Sequence, residues 1–321
     1  MTEPVVPAAT VRAALARACR APSLHNSQPW RWRWDGTRAM LFADRERRLP
    51  SADVLNRQGM LGCGVMLHHA AVAFAAAGLP PRIARFPNPA DRSHLASLTF
   101  SEARTVTEGE LSLAAAMDRR YTDRAPMAPV EHWCDIAQVV AAVCDERNIT
   151  LRVLDESLRP DLDSISWTAT ALRRRDPRYQ TEARWWIGGA APGSGVPAAA
   201  LPAREDSGRV AVNREFPAGI ADYGSEQRDA AHLLLLATPD DSPEALLACG
   251  EALSAVLLEF TDHDVSTCVL THLTELPATR TRVAELTGAA HPQLLMRAGV
   301  ATAPRPPRTP RRAIDDIFEV V

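Results

Sequence analysis

Arg20-Ala-Pro-Ser-Leu-His-Asn-Ser-Gln-Pro-Trp30 is the stretch on which the chain turns. Pro22 and Pro29 cannot sit inside regular hydrogen-bonded structure, so the residues between them form an ordered, irregular loop. Ser23, His25, Asn26, Ser27 and Gln28 crowd donors and acceptors into that loop. Ligand contacts concentrate on loops held between rigid elements. From composition alone, a polar connector without a ligand is an equal reading.

On the N-terminal side, Val11, Ala14, Leu15, Ala18 and Cys19 recur at helical spacing, with Thr10 the expected N-cap. On the C-terminal side, Trp30, Trp32 and Trp34 alternate with arginines, the period of a strand with one buried face. Asp35-Gly36 signals a hairpin, with Ala39–Phe42 as its return strand. A second helix is predicted over Gly59–Ala77, closed by Gly78 and Pro80. Strands follow at Arg82–Phe86 and Ala96–Phe100, a helical patch at Glu110–Met117, a helix over Val130–Asp145 and a strand at Ile149–Leu154.

Between about Glu156 and Arg228 the pattern weakens, with some helix over Leu162–Trp186 and then a Gly/Pro/Ala-rich excursion. So long an excursion is a functional lid or a disordered linker, and Trp185-Trp186 favours a lid that packs on something. Ala231–Thr238 reads as a strand buried on both faces. A helix over Pro243–Asp262, a strand at Val265–Thr271, a helix at Ala278–Thr287 and a strand at Gln293–Ala301 complete the second part. The Pro/Arg tail closes on an apolar Ala313-Ile-Asp-Asp-Ile-Phe, which is expected to dock on the body.

Leu61, Cys63, Gly64, Leu67 and Phe74 recur as Leu247, Cys249, Gly250, Leu253 and Phe260, all at one offset of 186 residues. The repeat implies two related halves facing each other across a pseudo-twofold axis, an isologous dimer within one chain. We place the first half at 1–105 and the second at 106–321, with 156–228 as the lid.

The 321 residues, 46% hydrophobic and 23% charged, suit a water-exposed globular protein with a sizeable core. A net charge of -3 and no basic arm argue against a nucleic-acid partner. No apolar stretch reads as membrane-spanning and no signal pattern opens the chain, so the expected location is cytoplasmic and no membrane partner is expected. Six dispersed cysteines without a C-x-x-C pair, and histidines without H-E-x-x-H, give neither a disulfide framework nor a metal site. All 36 basic residues are arginines. Without lysine there is no P-loop and no Schiff-base enzyme. Gly62-Cys-Gly64 lacks the third glycine of a dinucleotide fingerprint, and there is no G-x-S-x-G nucleophile elbow.

Arg120-x-Thr122-x-Arg124 places two guanidinium groups and a hydroxyl at alternating positions, on one side of an extended segment. Such a set fits the oxygens of a phosphate. A solvated basic turn paired with Asp118 and Asp123 is the bland alternative. Arg311 and Arg312 in the tail are a second phosphate source.

Ala21–Trp30 resembles the P-S-x-x-N-x-Q-P-W loop of the nitroreductase family of FMN flavoproteins. Arg120-x-Thr122-x-Arg124 resembles that family's R-x-[ST]-x-[KR] phosphate motif, and Thr309–Asp316 its C-terminal arginine segment. The chain is most similar to the Acg branch, the dormancy-associated NAD(P)H nitroreductases of actinobacteria, over residues 10–320. The resemblance implies an α+β, nitroreductase-like fold in which two fused halves form an intrachain pseudo-dimer. The first half has only the loop and the second only the phosphate motif, so one FMN per chain is implied at the internal interface.

By that resemblance Arg120, Thr122 and Arg311, with Arg312 beside it, would hold the phosphate. Pro22, Ser23, Leu24 and Asn26 would line the isoalloxazine, with Gln28 in the same set. Arg124 would approach the ribityl chain or the O2 edge, and Leu273, Thr274 and Glu275 would stand toward N5. Three functions compete. A lid-covered protein that sequesters FMN is favoured over an active NAD(P)H-dependent reductase of nitroaromatics or quinones, and a flavin-free paralogue is the weakest. No residue is assigned a catalytic role.

Overall fold

The computed structural model describes residues 6–188, 193–203, 208–216, 219–221 and 228–321. The expected lid therefore falls partly outside the described residues. Two five-stranded sheets flank a pair of long helices. The first sheet joins β1 (Trp30–Trp34), β2 (Arg38–Ala43), β3 (Pro81–Arg85) and β4 (His94–Phe100). The second joins β5 (Met127–Ala128), β6 (Thr150–Val153), β7 (His232–Thr238), β8 (Ser266–Leu270) and β9 (His291–Ala301). A last short strand, β10 (Phe318–Val320), completes the first sheet, giving the order β10-β1-β2-β4-β3. In the second, β5-β9-β7-β6 run in order, and β8 also pairs with β9.

The helices are α1 (Ala8–Ala18), α2 (Arg57–Ala76), α3 (Glu108–Arg119), α4 (Trp133–Asp145) and α5 (Arg159–Arg174). They continue with α6 (Pro177–Trp186), α7 (Pro243–Asp262), α8 (His272–Glu275) and α9 (Pro277–Thr287). α1 starts earlier than the Thr10 cap predicted. Pro7 flanks it with no side-chain cap, and its carbonyl accepts from the Thr10 amide at 2.9 Å. Proline suits this place because its fixed φ is pre-set for a helix start.

The β1 alternation holds: its three tryptophans are at most 2% exposed while its arginines face solvent. At the hairpin, Asp35 Oδ1 accepts from the amides of Thr37 and Arg38, holding the chain reversal. β7 is apolar on both faces because each face has its own core. Leu234 and Leu236 join the core shared with α2 and α7, whereas Leu233 and Leu235 pack with Leu162 and Ile165 of α5 and Val283 of α9.

α2 and α7 are the repeat helices, 20 residues each, and they pack together through Gly64 and Gly250. One apolar core runs across this contact, from Trp30 and Phe74 to Phe260 and Met296. Contrary to the sequence expectation, α2 is long and apolar enough to cross a membrane by length and composition alone. Of its apolar window 67% is buried within the fold, which accounts for that composition, since a mostly covered core helix carries little polar face.

The C-terminal tail returns from the second sheet to the first. The Trp32 amide donates to the Ile317 carbonyl at 2.6 Å, and Trp32 is in parallel register with Phe318. The tail, placed by sequence in the second half, thus lends its last strand to the first. β5, β10 and α8 were not predicted. Each has four residues or fewer and is too short for a period to register.

Within the excursion, Tyr179, Trp186, Val196 and Leu201 form a small core with Leu49 and Ala52. Trp186 is buried with the Arg47 guanidinium 4.9 Å above its ring, whereas Trp185 is exposed. Only one of the paired tryptophans packs as expected. Of the glycine run at 188–195, residues 189–192 lie outside the described residues.

Candidate functional site

The loop after α1 is held by its own polar side chains. Ser23 Oγ accepts from the Gln28 amide at 2.9 Å, and the Asn26 amide donates to the Ser23 carbonyl at 2.9 Å. His25, Asn26 and Gln28 all have positive φ, at 51°, 54° and 52°. Left-handed backbone at non-glycine positions costs energy and persists only where surroundings over-determine it. Here the clamp comes from other segments. Asn26 Nδ2 donates to the carbonyls of Gly195 and Pro310, both at 2.9 Å.

Gln28 belongs to that clamp rather than to the cleft wall. Its Nε2 donates to the carbonyls of Gly193 and Asn26, and its Oε1 accepts from the Arg312 amide at 2.9 Å. Arg312 is likewise committed to structure. It donates to the Trp30 carbonyl, to Asp44 Oδ2 at 3.2 Å and to the Asp316 carbonyl. Between Arg311 and Arg312, only Arg311 reaches the cleft.

Pro22, Ser23, Leu24 and Asn26 line one side of a cleft between the halves, while Arg120, Thr122 and Arg124 line the other. The second set lies on an extended segment that runs beside β8, with Thr122 bridged to Thr267. Arg120, Thr122 and Arg124 all line the cleft, and so does Tyr121 between them. Leu273 and Thr274 do not line the cleft; both are fully buried in α8. The Thr274 amide donates to the Thr271 carbonyl and its hydroxyl to the Gln293 carbonyl at 2.7 Å. Thr271, one turn earlier, faces the cleft instead.

The arginine end of the cleft has an unusual electrostatic balance. Arg120 is 7% exposed, and its guanidinium makes no hydrogen bond among the described residues; its Nε is buried without a partner. Burial first, then Arg20 and Arg124, push its pKa down to about 10. Arg311 is lowered to about 9 by burial first and then by Arg20 and Arg120. Its donors are occupied, however: Nε by the Cys19 carbonyl at 2.8 Å, one terminal nitrogen by the Arg20 carbonyl at 3.0 Å, the other by Thr309 Oγ1 at 2.7 Å. Arg311 thus closes the C-terminal end of α1 and contributes charge rather than free N–H groups. Buried positive charge facing buried positive charge is costly unless an anion joins it. A dianionic phosphate is the group this end can hold.

At the other end Glu275, which the resemblance set toward N5, is paired with Arg214, which the sequence did not mark. Arg214 donates to the Tyr179 hydroxyl at 2.9 Å, to Thr271 Oγ1 at 3.1 Å and to Glu275. Burial alone would raise the Glu275 carboxyl, but the Arg214 charge outweighs it and holds the group down at about 2. Phe216 lies 5.2 Å from the Arg124 guanidinium, whose one terminal nitrogen donates to the Ala200 carbonyl. Val196, Ala200, Arg214 and Phe216 all line the cleft. They come from the excursion, where no periodicity marks which side chains turn inward. His25 is buried, and burial with the Arg214 charge lowers its pKa to about 3, so the ring is neutral. The Asn26 Oδ1 acceptor is buried without a partner among the described residues. No cluster of three metal-ligating side chains occurs among the described residues.

No protein-family model matches the chain. A Mycobacterium tuberculosis H37Rv protein named "Putative NAD(P)H nitroreductase acg" is 41% identical over 326 residues, covering 100% of this chain and 98% of its own length. A second protein of that strain, "Putative NAD(P)H nitroreductase Rv3131", is 37% identical, covering 97% and 92%. Among solved structures, the FMN-dependent nitroreductase NfnB from Mycobacterium smegmatis in complex with NADPH has 15% identity and a TM-score of 0.42, covering 65% of this chain and 97% of that one.

Proposed function

The chain belongs to the nitroreductase family, and from that premise we propose that it holds one FMN in the cleft between its halves. The halves are 1–105, completed by the C-terminal strand, and 106–321. The observation that carries the proposal is the Arg120 guanidinium, buried and without a hydrogen-bond partner among the described residues, beside two further arginines. Arg120 and Thr122 would hold the phosphate, with Arg311 adding charge. Pro22, Ser23, Leu24 and Asn26 would line the ring, and Asn26 Oδ1, buried without a partner among the described residues, would offer it an acceptor. When bound, FMN supplies reversible two-electron chemistry by accepting and passing on a hydride. Arg124 keeps a positive charge beside the cleft, which favours a reduced, anionic ring.

A single site per chain is supported by the repeat. Val65 lines the cleft, whereas its repeat position in α7 is Glu251. Glu251 is buried and takes two bonds from Arg85 of β3, at 2.7 and 2.6 Å. An ion pair therefore stands where the second half would need an apolar wall.

We further infer that residues 193–203 and 208–216 act as a cover over the ring, excluding water and holding the flavin rather than presenting it. Gly193 and Gly195 bond directly to the Pro22–Pro29 loop, and Phe216 and Arg214 close the far wall. A second reading, an active reductase of nitroaromatics or quinones, is favoured by the names of the relatives. Anaerobic mixing with NADPH and then dithionite, while following flavin absorbance, separates the two. The covered site predicts slow bleaching by NADPH and prompt bleaching by dithionite. Prompt bleaching by NADPH contradicts the cover, and a colourless protein that cannot be reconstituted contradicts both readings.

A further inference from the structure

Arg20 is the one arginine at the phosphate end that comes from the first half. It follows the end of α1, two residues before Pro22, and it lines the same cleft as Arg120. Its Nε is buried without a partner, and among the described residues its only side-chain hydrogen bond is a long one, 3.4 Å to the Thr309 carbonyl. The nearby carboxylate is already engaged: Asp118 accepts from Arg17 at 2.7 and 3.2 Å. Arg308 adds another positive charge, its guanidinium donating to the Asp118 carbonyl at 3.0 Å. The backbone of Arg20 is nonetheless pinned, because Arg311 donates to its carbonyl at 3.0 Å. A pinned backbone with a half-buried, under-bonded guanidinium is poor as a structural clamp. It is well suited to meeting an anion.

We propose that Arg20 is a phosphate-reading residue of the cleft, so that the phosphate end is built by both halves and selects a phosphorylated flavin over its dephosphorylated form. The proposal rests on the FMN reading above. Arg120, from the second half, and Arg20, from the first, then approach the same dianion. The dianion relieves the repulsion that these arginines create in one another: Arg20 is among the charges that lower both Arg120 and Arg311. The first half thus supplies a replacement for the phosphate motif it lacks.

The test is equilibrium binding of FMN and of riboflavin to the apo-protein, for the wild type and for Arg20→Gln and Arg20→Lys. Losing a charge-assisted contact predicts an FMN Kd weakened about ten- to a hundredfold in Arg20→Gln, with riboflavin changed less than about twofold. Arg20→Lys is expected to recover part of the loss, because it keeps the charge without the planar fork. Thermal unfolding in inorganic phosphate gives a flavin-free readout: the stabilisation expected of the wild-type apo-protein shrinks in Arg20→Gln. Equal losses for FMN and riboflavin, or an unchanged FMN Kd, would overturn the Arg20 assignment while leaving the FMN reading intact. A wild type that binds neither flavin would overturn both.

Discussion

Gly64 of α2 and Gly250 of α7 touch reciprocally. A Cβ on Gly64 would lie 2.1 Å from the Leu247 carbonyl oxygen and 2.9 Å from the Gly250 Cα. A Cβ on Gly250 would lie 2.1 Å from the Leu61 carbonyl oxygen and 2.8 Å from the Gly64 Cα. The symmetry of these distances is that of a twofold axis passing between the two glycines. Because the obstacles are backbone atoms, Gly64→Ala must push the helices apart. A destabilisation of about 3 kcal/mol, at the upper end of ordinary overpacking, is expected in denaturant unfolding. The variant should also release FMN faster, since the cleft spans the same interface. Full stability in Gly64→Ala would show that the contact yields more readily than its geometry implies.

Arg120→Met should act in opposite directions on the two states of the protein. In the apo-protein it removes a buried charge with no partner, so the unfolding midpoint stays level or rises. With FMN present it removes a charge-assisted contact of about 1.5–3 kcal/mol, so the Kd rises. Parallel unfolding and binding measurements check both signs. A variant that is less stable as apo-protein and unchanged in FMN binding would make Arg120 a structural residue.

Stability should fall on mild acidification because several histidines are buried neutral. Burial lowers His25, His68 and His272 to about 3 in the folded chain, against an ordinary value near 6.5. Below that ordinary value the unfolded chain takes up protons that the folded chain refuses. The stabilising contribution is therefore full above about pH 6.5 and is lost progressively as pH falls toward 3, by about 1.4 kcal/mol per pH unit for each histidine. Urea midpoints at pH 7.5, 6 and 5 test the slope. A flat profile would mean that these rings become protonated without unfolding.

Glu275→Gln should loosen the cover. It leaves Arg214 without its anion, and Arg173 too, whose guanidinium lies 3.6 Å from Glu275. Stranding buried charge in this way costs about 3–5 kcal/mol. If the excursion shields the flavin, the same change speeds bleaching by NADPH. A loss of stability with no change in bleaching would confine the ion pair to a structural role.

Legibility in the sequence followed the length of the periodic signal. α2, α7, β1 and β7 were readable because tryptophan alternation, a paired Cys-Gly and a continuous leucine run each repeat often enough to identify a face. Pro22–Asn26 and Arg120–Arg124 were marked by their motifs, and both segments line the cleft. Gln28 and Arg312 were placed with them by the motifs they belong to, but each bonds to the scaffold behind the cleft. Thr274 was off by one helical turn, with Thr271 facing inward instead. Arg20 carried no pattern of its own: only the folded arrangement shows that Asp118 is taken by Arg17. Arg214 and Phe216 lie where the chain has no period, so tertiary packing alone decides which way they point.

The central claim is one FMN per chain, held between the two halves of a single molecule. Calorimetric or fluorescence titration of the apo-protein with FMN, combined with a measurement of molecular mass in solution, tests it directly. The predicted result is one FMN per 321-residue chain, bound by the monomer as well as by any larger assembly. Two FMN per chain, or one FMN for every two chains, would contradict it.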